Sequence, residues 1–372
     1  MRLVVQPGDG IAPLLRGIER AKRSVEIVIF RFDRSEVERA LEDAVKRGVF
    51  VHALIAHANR SGEKNLRKLE TRLLARGVTV ARTADDLARY HGKMMIVDRR
   101  ELYLLAFNFT YRDIEHSRSF ALIIRNPALV QEGVRLFEAD IKRQPYTPGS
   151  GRLLVSPVNA RKQLASFLKG ARQQLLIYDL KIRDRAMVRL LEERVRAGVD
   201  VRILGTVPRG SARLAAHKLP HLRLHTRTII RDRRHAFLGS QSLRELELDG
   251  RREIGVIFQN AKVVNSLIRV FEEDWESAGA SRAANGKEQA SVPAAKAAKK
   301  AARAVARDLP PVAPVVAQAV KEAVGKTGDF TFDEAAVEET VKDAVKTAVK
   351  EAVRGMVTDA VDHNHKEPNP AK

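Results

Sequence analysis

Between residues 1 and 282 the chain writes one pattern twice, and that repeat limits its possible folds more than any other feature. The first copy reads SVEIVIFRF (24–32), then the amphipathic SEVERALEDAVKRG (35–48), then VFVHALIAH (49–57). The second reads QLLIYDL (174–180), DRAMVRLLEERVRAG (184–198) and VDVRILG (199–205). An apolar run, a stretch with helical period and another apolar run together predict a right-handed βαβ crossover. Each copy also closes on a similar helical segment, NPALVQEGVRLFEADI (126–141) and NAKVVNSLIRVFEEDW (260–275). The expectation is an α/β body of two pseudo-symmetric halves, 1–148 and 149–282, each a mostly parallel mixed sheet flanked by helices. Pseudo-two-fold symmetry would set equivalent residues face to face at the seam.

Composition changes near residue 280. Residues 284–311 read as an Ala/Lys/Pro linker, and 283–372 as an Ala/Lys/Val-rich tail, helical or disordered. Val312, Val316, Val320 and Val324 recur every fourth residue, as do Val337, Val341, Val345, Val349, Val353, Val357 and Val361. A spacing of four exceeds 3.6, so this narrow stripe drifts slowly round a helix. Such a tail could self-associate, dock on the body or lie on a membrane. The tail is nearly neutral, with 14 basic and 13 acidic residues over 283–372, which leaves 53 basic and 33 acidic residues, net +20, on 1–282. A body so charged attracts polyanions, either an anionic phospholipid surface or nucleic acid. The basic stretch 56–73 is a candidate contact, a solvated helix being the alternative. There is no Cys, which excludes disulfides and thiolate chemistry. No run approaches ~18 apolar residues and no signal-peptide core opens the chain. A soluble cytoplasmic protein is expected, peripheral at a membrane if it meets one.

The chemistry-bearing residues sit at matching places in the two copies. His91-Gly-Lys93 is followed by four residues and Asp98; His225-Thr-Arg227 by four residues and Asp232. MMIV and TIIR are strand-like, and in a strand each His would share a face with its cation. An imidazole beside a fixed cation can attack, or protonate, a phosphate ester while charge on the non-bridging oxygens is stabilised. One H-x-K-x4-D is weak evidence; two, 134 residues apart in corresponding halves, are far more specific. The remaining histidines, including His52, His57, His116, His217, His221 and His235, match no motif position. No cluster has metal-ligand spacing, so neither metal nor cofactor is expected.

On these residues the chain, over about 1–280, resembles the phospholipase D superfamily. There each half carries H-x-K-x4-D, commonly followed by Gly-Ser, an Asn and a Glu on a later strand. Half two has Gly239, Ser240 and Glu253 in place, with Ser242 for the Asn. Half one has Asn108, with Leu105 and Ala106 for Gly-Ser and Ser119 for the Glu. Arg227 replaces the usual Lys. The halves thus hold complementary subsets, which fits one composite site that needs no dimer.

The resemblance implies a metal-free, two-step phosphodiesterase or phosphatidyltransferase acting on phospholipids. His91 would be the nucleophile that forms a phosphohistidine, and His225 the general acid and base. Lys93, Arg227 and Asn108, with Ser240 and Ser242, would bind the phosphate oxygens. Glu253 would orient the opposing His, while Asp98 and Asp232 complete the motifs and tie down backbone. The alternatives are a nuclease of the same superfamily and a catalytically weakened anion-binding module.

Overall fold

The strand Ser24–Ile29 is buried from Val25 onward, and its equivalent Gln174–Asp179 from Leu175 onward. Both are continuous apolar runs rather than alternating ones because helices cover both faces of their sheets. In the computed structural model, residues 1–57, 63–149, 151–211 and 213–288 are described. Residues Met1–Ser281 form one compact unit. The Val-repeat tail, most of the linker and the tip of the 56–73 stretch lie outside the described residues.

The repeat folds as its pattern requires. Ser24–Ile29, the helix Ser35–Lys46 and Phe50–Ile55 make one βαβ unit, and Gln174–Asp179, the helix Arg185–Arg196 and Asp200–Gly205 make the other. Gly48 and Gly198, with φ of 81° and 83°, end the two helices in the left-handed conformation that glycine adopts without penalty. The closing helices begin at matching N-caps: Asn126 Oδ1 accepts from the Leu129 N–H and Asn260 Oδ1 from the Val263 N–H, both at 3.1 Å.

The first sheet runs Arg2–Gln6, Ser117–Ile124, Glu101–Leu105, Met94–Val97, Ser24–Ile29, Phe50–Ile55, Thr79–Arg82. The second runs Ala215–His217, Asp200–Gly205, Gln174–Asp179, Arg227–Arg231, His235–Gly239, Ile254–Phe258, Leu153–Val155. Only the three strands at one edge of each are mutually parallel; their other neighbours on these paths pair antiparallel. The expectation of mostly parallel sheets is therefore corrected. The cause is local. After each βαβ unit the motif strand turns back through one tight hairpin, whose short connection forces antiparallel pairing. Asp98 and Arg99 (φ 52° and 53°), like Asp232 and Arg233 (φ 50° and 54°), turn the motif strands back in the left-handed region.

The compact unit ends at Ser281, beside the expected boundary at 282, while a helix continues past it. The closing helix of half two runs Ala261–Glu288, past the boundary at 282 and into the segment read as linker. The halves also share a core. Leu176, Tyr178, Ile254, Val264 and Phe271 of half two belong to the same buried cluster as Leu104, Phe120 and Phe137 of half one. Each such side chain contributes about 1.5–3 kcal/mol, whereas an exposed ion pair adds at most about 1 kcal/mol. Apolar burial across the seam therefore dominates their union.

Candidate active site

Two short parallel pairings stitch the seam. Arg223–Leu224 pairs with Ser117–Arg118, and Arg251–Arg252 with Arg89–Tyr90. Each pairing delivers a motif histidine to the opposite half. The His91 N–H donates to the Arg252 carbonyl at 2.7 Å and the His225 N–H to the Arg118 carbonyl at 3.1 Å. The same two arginines are clamped by the closing helices. Arg118 Nε and Nη2 donate to Asp274 at 2.8 and 3.0 Å, and Arg252 Nη2 reaches Asp140 at 3.1 Å. Tyr178 Oη donates to Asp274 at 2.6 Å, and Tyr90 Oη to Asp140. The peptide groups that hold the histidines are thereby fixed by buried charge pairs.

His91, Lys93, Asn108, His225, Arg227, Ser240, Ser242 and Glu253 are all buried. The motif histidines precede their strands rather than lying in them, since these begin at Met94 and Arg227. His and cation still meet. Lys93 Nζ donates to the His91 carbonyl at 2.7 Å and lies 3.0 and 3.1 Å from the ring nitrogens. Arg227 Nη1 donates to the His225 carbonyl at 2.8 Å, and its Nε to Ser242 Oγ at 3.1 Å.

Glu253 reaches across the seam to His91, with Oε2 2.9 Å from Nδ1. With Glu253 ionised, Nδ1 carries the proton and the ring's lone pair is on Nε2, 3.1 Å from Lys93 Nζ. Burial, then the Lys93 and Arg227 cations, pushes the His91 imidazole well below its ordinary pKa. Burial does the same to His225, with Asp113 opposing and Arg227, Arg223 and Lys93 adding. Both rings therefore feel both motif cations. Burial pushes the Lys93 ammonium down to about 7 and raises the Glu253 carboxyl.

The other expected residues are placed as follows. Asp98 accepts from the N–H groups of Lys22, Arg23 and Ser24 at 2.6–3.1 Å, and Asp232 from those of Arg172, Gln173 and Gln174 at 2.7–3.1 Å. Both pin the backbone that leads into the βαβ unit. Asn108 Nδ2 donates to Asp113 at 2.6 Å. Ser240 Oγ accepts from the Ile254 N–H at 3.1 Å. Gly239 is required because a Cβ there would lie 2.6 Å from Gly255 Cα. Half one does without the Gly-Ser: the Ala106 N–H donates to Phe120 O at 3.0 Å, as the Ser240 N–H donates to Ile254 O at 3.0 Å. Of the other histidines, His52 packs its ring between Phe50 and Phe137, and His217 against Trp275.

Two carboxylates of the site stand outside the motif positions. Asp113 and Glu247 each accept from a backbone N–H five residues earlier, of Asn108 at 3.0 Å and Ser242 at 2.9 Å. They are 134 residues apart, as are Arg118 and Arg252, and Asp140 and Asp274. Sliding the chain along itself by the histidine spacing marks every one of them.

The sequence model of the family described as "Cardiolipin synthase, PLD-like domain" matches residues 14–141 and 164–275. Among curated proteins the chain is 29% identical over 135 residues to a mitochondrial cardiolipin hydrolase of Canis lupus familiaris, covering 36% of this chain and 50% of that protein. The mouse protein of that name matches at 29% over 135 residues, 36% of this chain and 58% of the relative. The chain spans about half the length of these relatives. Among solved structures, a polyphosphate kinase from Porphyromonas gingivalis superposes with a TM-score of 0.62 at 18% identity, over 74% of this chain and 50% of the other. A phosphatidylserine synthase from Haemophilus influenzae Rd KW20 superposes with a TM-score of 0.56 at 11% identity, over 74% and 86%. These two likenesses show the fold. With both halves matched by the family model and both histidine motifs gathered at one seam, the chain belongs to the phospholipase D superfamily.

Proposed function

We propose that the protein is a phosphodiesterase of phospholipase D type that cleaves, or transfers, the phosphatidyl group of phospholipids at an anionic membrane surface, working as a monomer. The observation that carries the chemistry is the 2.9 Å contact of His91 Nδ1 with Glu253 across the seam. It leaves a neutral imidazole with its Nε2 lone pair unprotonated, beside Lys93 and Arg227. The lipid assignment is supported by the description of the matching family, by the curated relatives and by the net charge of +20 on residues 1–282.

In the first step His91 Nε2 attacks phosphorus. A P–N bond forms, the ester P–O bond breaks, and the departing alkoxide takes a proton from the His225 imidazolium. Lys93, Arg227 and Asn108 meet the non-bridging oxygens, and Glu253 stabilises the positive charge that His91 acquires. In the second step neutral His225 takes a proton from water or an alcohol, whose oxygen attacks phosphorus and breaks the P–N bond. A bound phosphodiester's negative charge restores the protons that burial takes from His225 and Lys93 in the free protein.

The test is a single incubation of the protein with phosphatidylglycerol–cardiolipin vesicles and supercoiled plasmid, with H91A run alongside. Lipid product that vanishes in H91A, with intact plasmid, is the expected result. Nicked plasmid with intact lipid would replace the lipid reading by the nuclease reading, which the same +20 charge favours. Turnover of neither, with salt-sensitive DNA binding, would leave an anion-binding module.

A further inference from the structure

Glu253 has no counterpart in half one at its own position. Ser119 stands there, fully buried, and its Oγ has no hydrogen-bond partner among the described residues. A serine cannot do what a carboxylate does, yet the histidine it should serve is as enclosed as His91. We propose that Asp113, on the short helix Tyr111–Glu115 between the Asn108 and Ser119 positions, replaces the missing glutamate and positions His225 for proton transfer.

The geometry points one way. Asp113 Oδ2 lies 3.5 Å from His225 Nδ1, the nitrogen equivalent to the one Glu253 holds in His91. That is long for a hydrogen bond, and such contacts in empty catalytic sites shorten when substrate binds. His225 Nδ1 is buried with no other hydrogen-bond partner among the described residues. The carboxylate is itself anchored three times over: by the N–H and Nδ2 of Asn108 at 3.0 and 2.6 Å, and by Arg223 Nη1 at 2.6 Å. Burial opposes its charge, but the bonds from Asn108, the Arg223 cation and, when protonated, His225 outweigh it and hold the carboxyl well below its ordinary pKa. Arg223 lies two residues before His225 and also donates to Ser117 Oγ at 3.0 Å, so Asp113, Arg223 and His225 form one unit. The pseudo-equivalent Glu247 is occupied differently. It faces Arg244, Arg251 and Arg227 at 3.1, 3.4 and 3.9 Å. The two halves have thus divided one task between two positions: half two holds the opposing histidine from the residue between two strands, half one from a short helix.

The inference rests on the phosphodiesterase reading for its meaning, and its test does not. The groups whose charge reaches His225 are Asp113, Arg227, Arg223 and Lys93. Removing the one anion among them lowers the pKa of His225. Ring-nitrogen NMR of 15N-histidine protein reads this directly, with the His225 signals assigned by their loss in H225Q. In the wild type the neutral His225 ring carries its proton on Nδ1. In D113N its titration moves down by roughly one pH unit or more, while that of His91 stays in place. The double variant D113N/S119E puts a carboxylate at the position symmetric with Glu253 and brings the titration back. A structural loss would not be repaired by a carboxylate six residues away. Where phosphodiester turnover is measured, the alkaline limb of kcat/KM moves down in D113N and returns in D113N/S119E. An Nε2–H tautomer in the wild type, or a His225 titration unmoved in D113N, overturns the proposal whether or not the protein turns over any lipid.

Discussion

Lys93 is a costly buried cation, and its cost can be measured. It is 1% exposed, and burial brings its pKa from 10.5 to about 7. That gap is worth about 5 kcal/mol of preference for the neutral amine. Below pH 7 both folded and unfolded chains keep the proton, and the folded state bears the whole cost. Between pH 7 and 10.5 the unfolded chain binds more protons than the folded one, so stability rises with pH through that window and levels off above it. In Lys93→Met the ammonium is gone, and so are its bonds to the His91 carbonyl and ring. Those losses amount to about 1–2 kcal/mol. K93M is therefore expected to be more stable than the wild type by about 3–4 kcal/mol at pH 6 and less stable by about 1–2 kcal/mol at pH 10.5. The two curves cross in between. Guanidinium unfolding of both proteins at unit steps from pH 6 to 10.5 gives the difference, in which every other titrating lysine cancels. K93M would lack turnover throughout. A difference that changes by less than about 1 kcal/mol across the window would refute the claim that Lys93 is strongly desolvated.

Further outcomes follow from the same geometry. Because Lys93 is half-deprotonated near neutral pH, binding of orthovanadate should take up a proton, and its affinity should fall up to about tenfold per pH unit above 7; calorimetry in buffers of different ionisation enthalpy reads both. Arg227→Lys restores the commoner motif residue but cannot keep the bonds to Ser242 Oγ and the His225 carbonyl together, so kcat/KM should drop about 10- to 100-fold. Asp98→Ala or Asp232→Ala each removes the acceptor of three backbone N–H groups. Each should cost about 2 kcal/mol in thermal unfolding and leave turnover per folded molecule intact.

The repeat was legible because its signals are local. The apolar runs, the helical period and Gly48 and Gly198 put each βαβ element within three residues of where the pattern predicts it. The motif residues were legible for the same reason: His91 and His225, Lys93 and Arg227, Asn108 and Glu253 lie together in one buried cluster. What sequence reading missed is what the hairpins and the seam decide. Nothing in SVEIVIFRF says that its other neighbour will be MMIV running the opposite way. Asp113 and Glu247 were missed because they match no motif, although the 134-residue offset carries them. The placement of His91 and His225 just before their strands, held by the carbonyls of Arg252 and Arg118, depends on pairing between distant segments and leaves no periodic trace.

The hydrogen bond between His91 and Glu253 joins residues 162 positions apart, and this sets when the site can first assemble. During synthesis at ~5–20 residues per second, the imidazole emerges roughly 8–32 s before its carboxylate. The clamp from Arg118 waits about as long for Asp274. A ribosome-bound first half therefore carries an intact His91 motif without the Glu253 carboxylate and the Arg252 carbonyl that hold it in the finished fold. The site is complete only when the second half closes on the first.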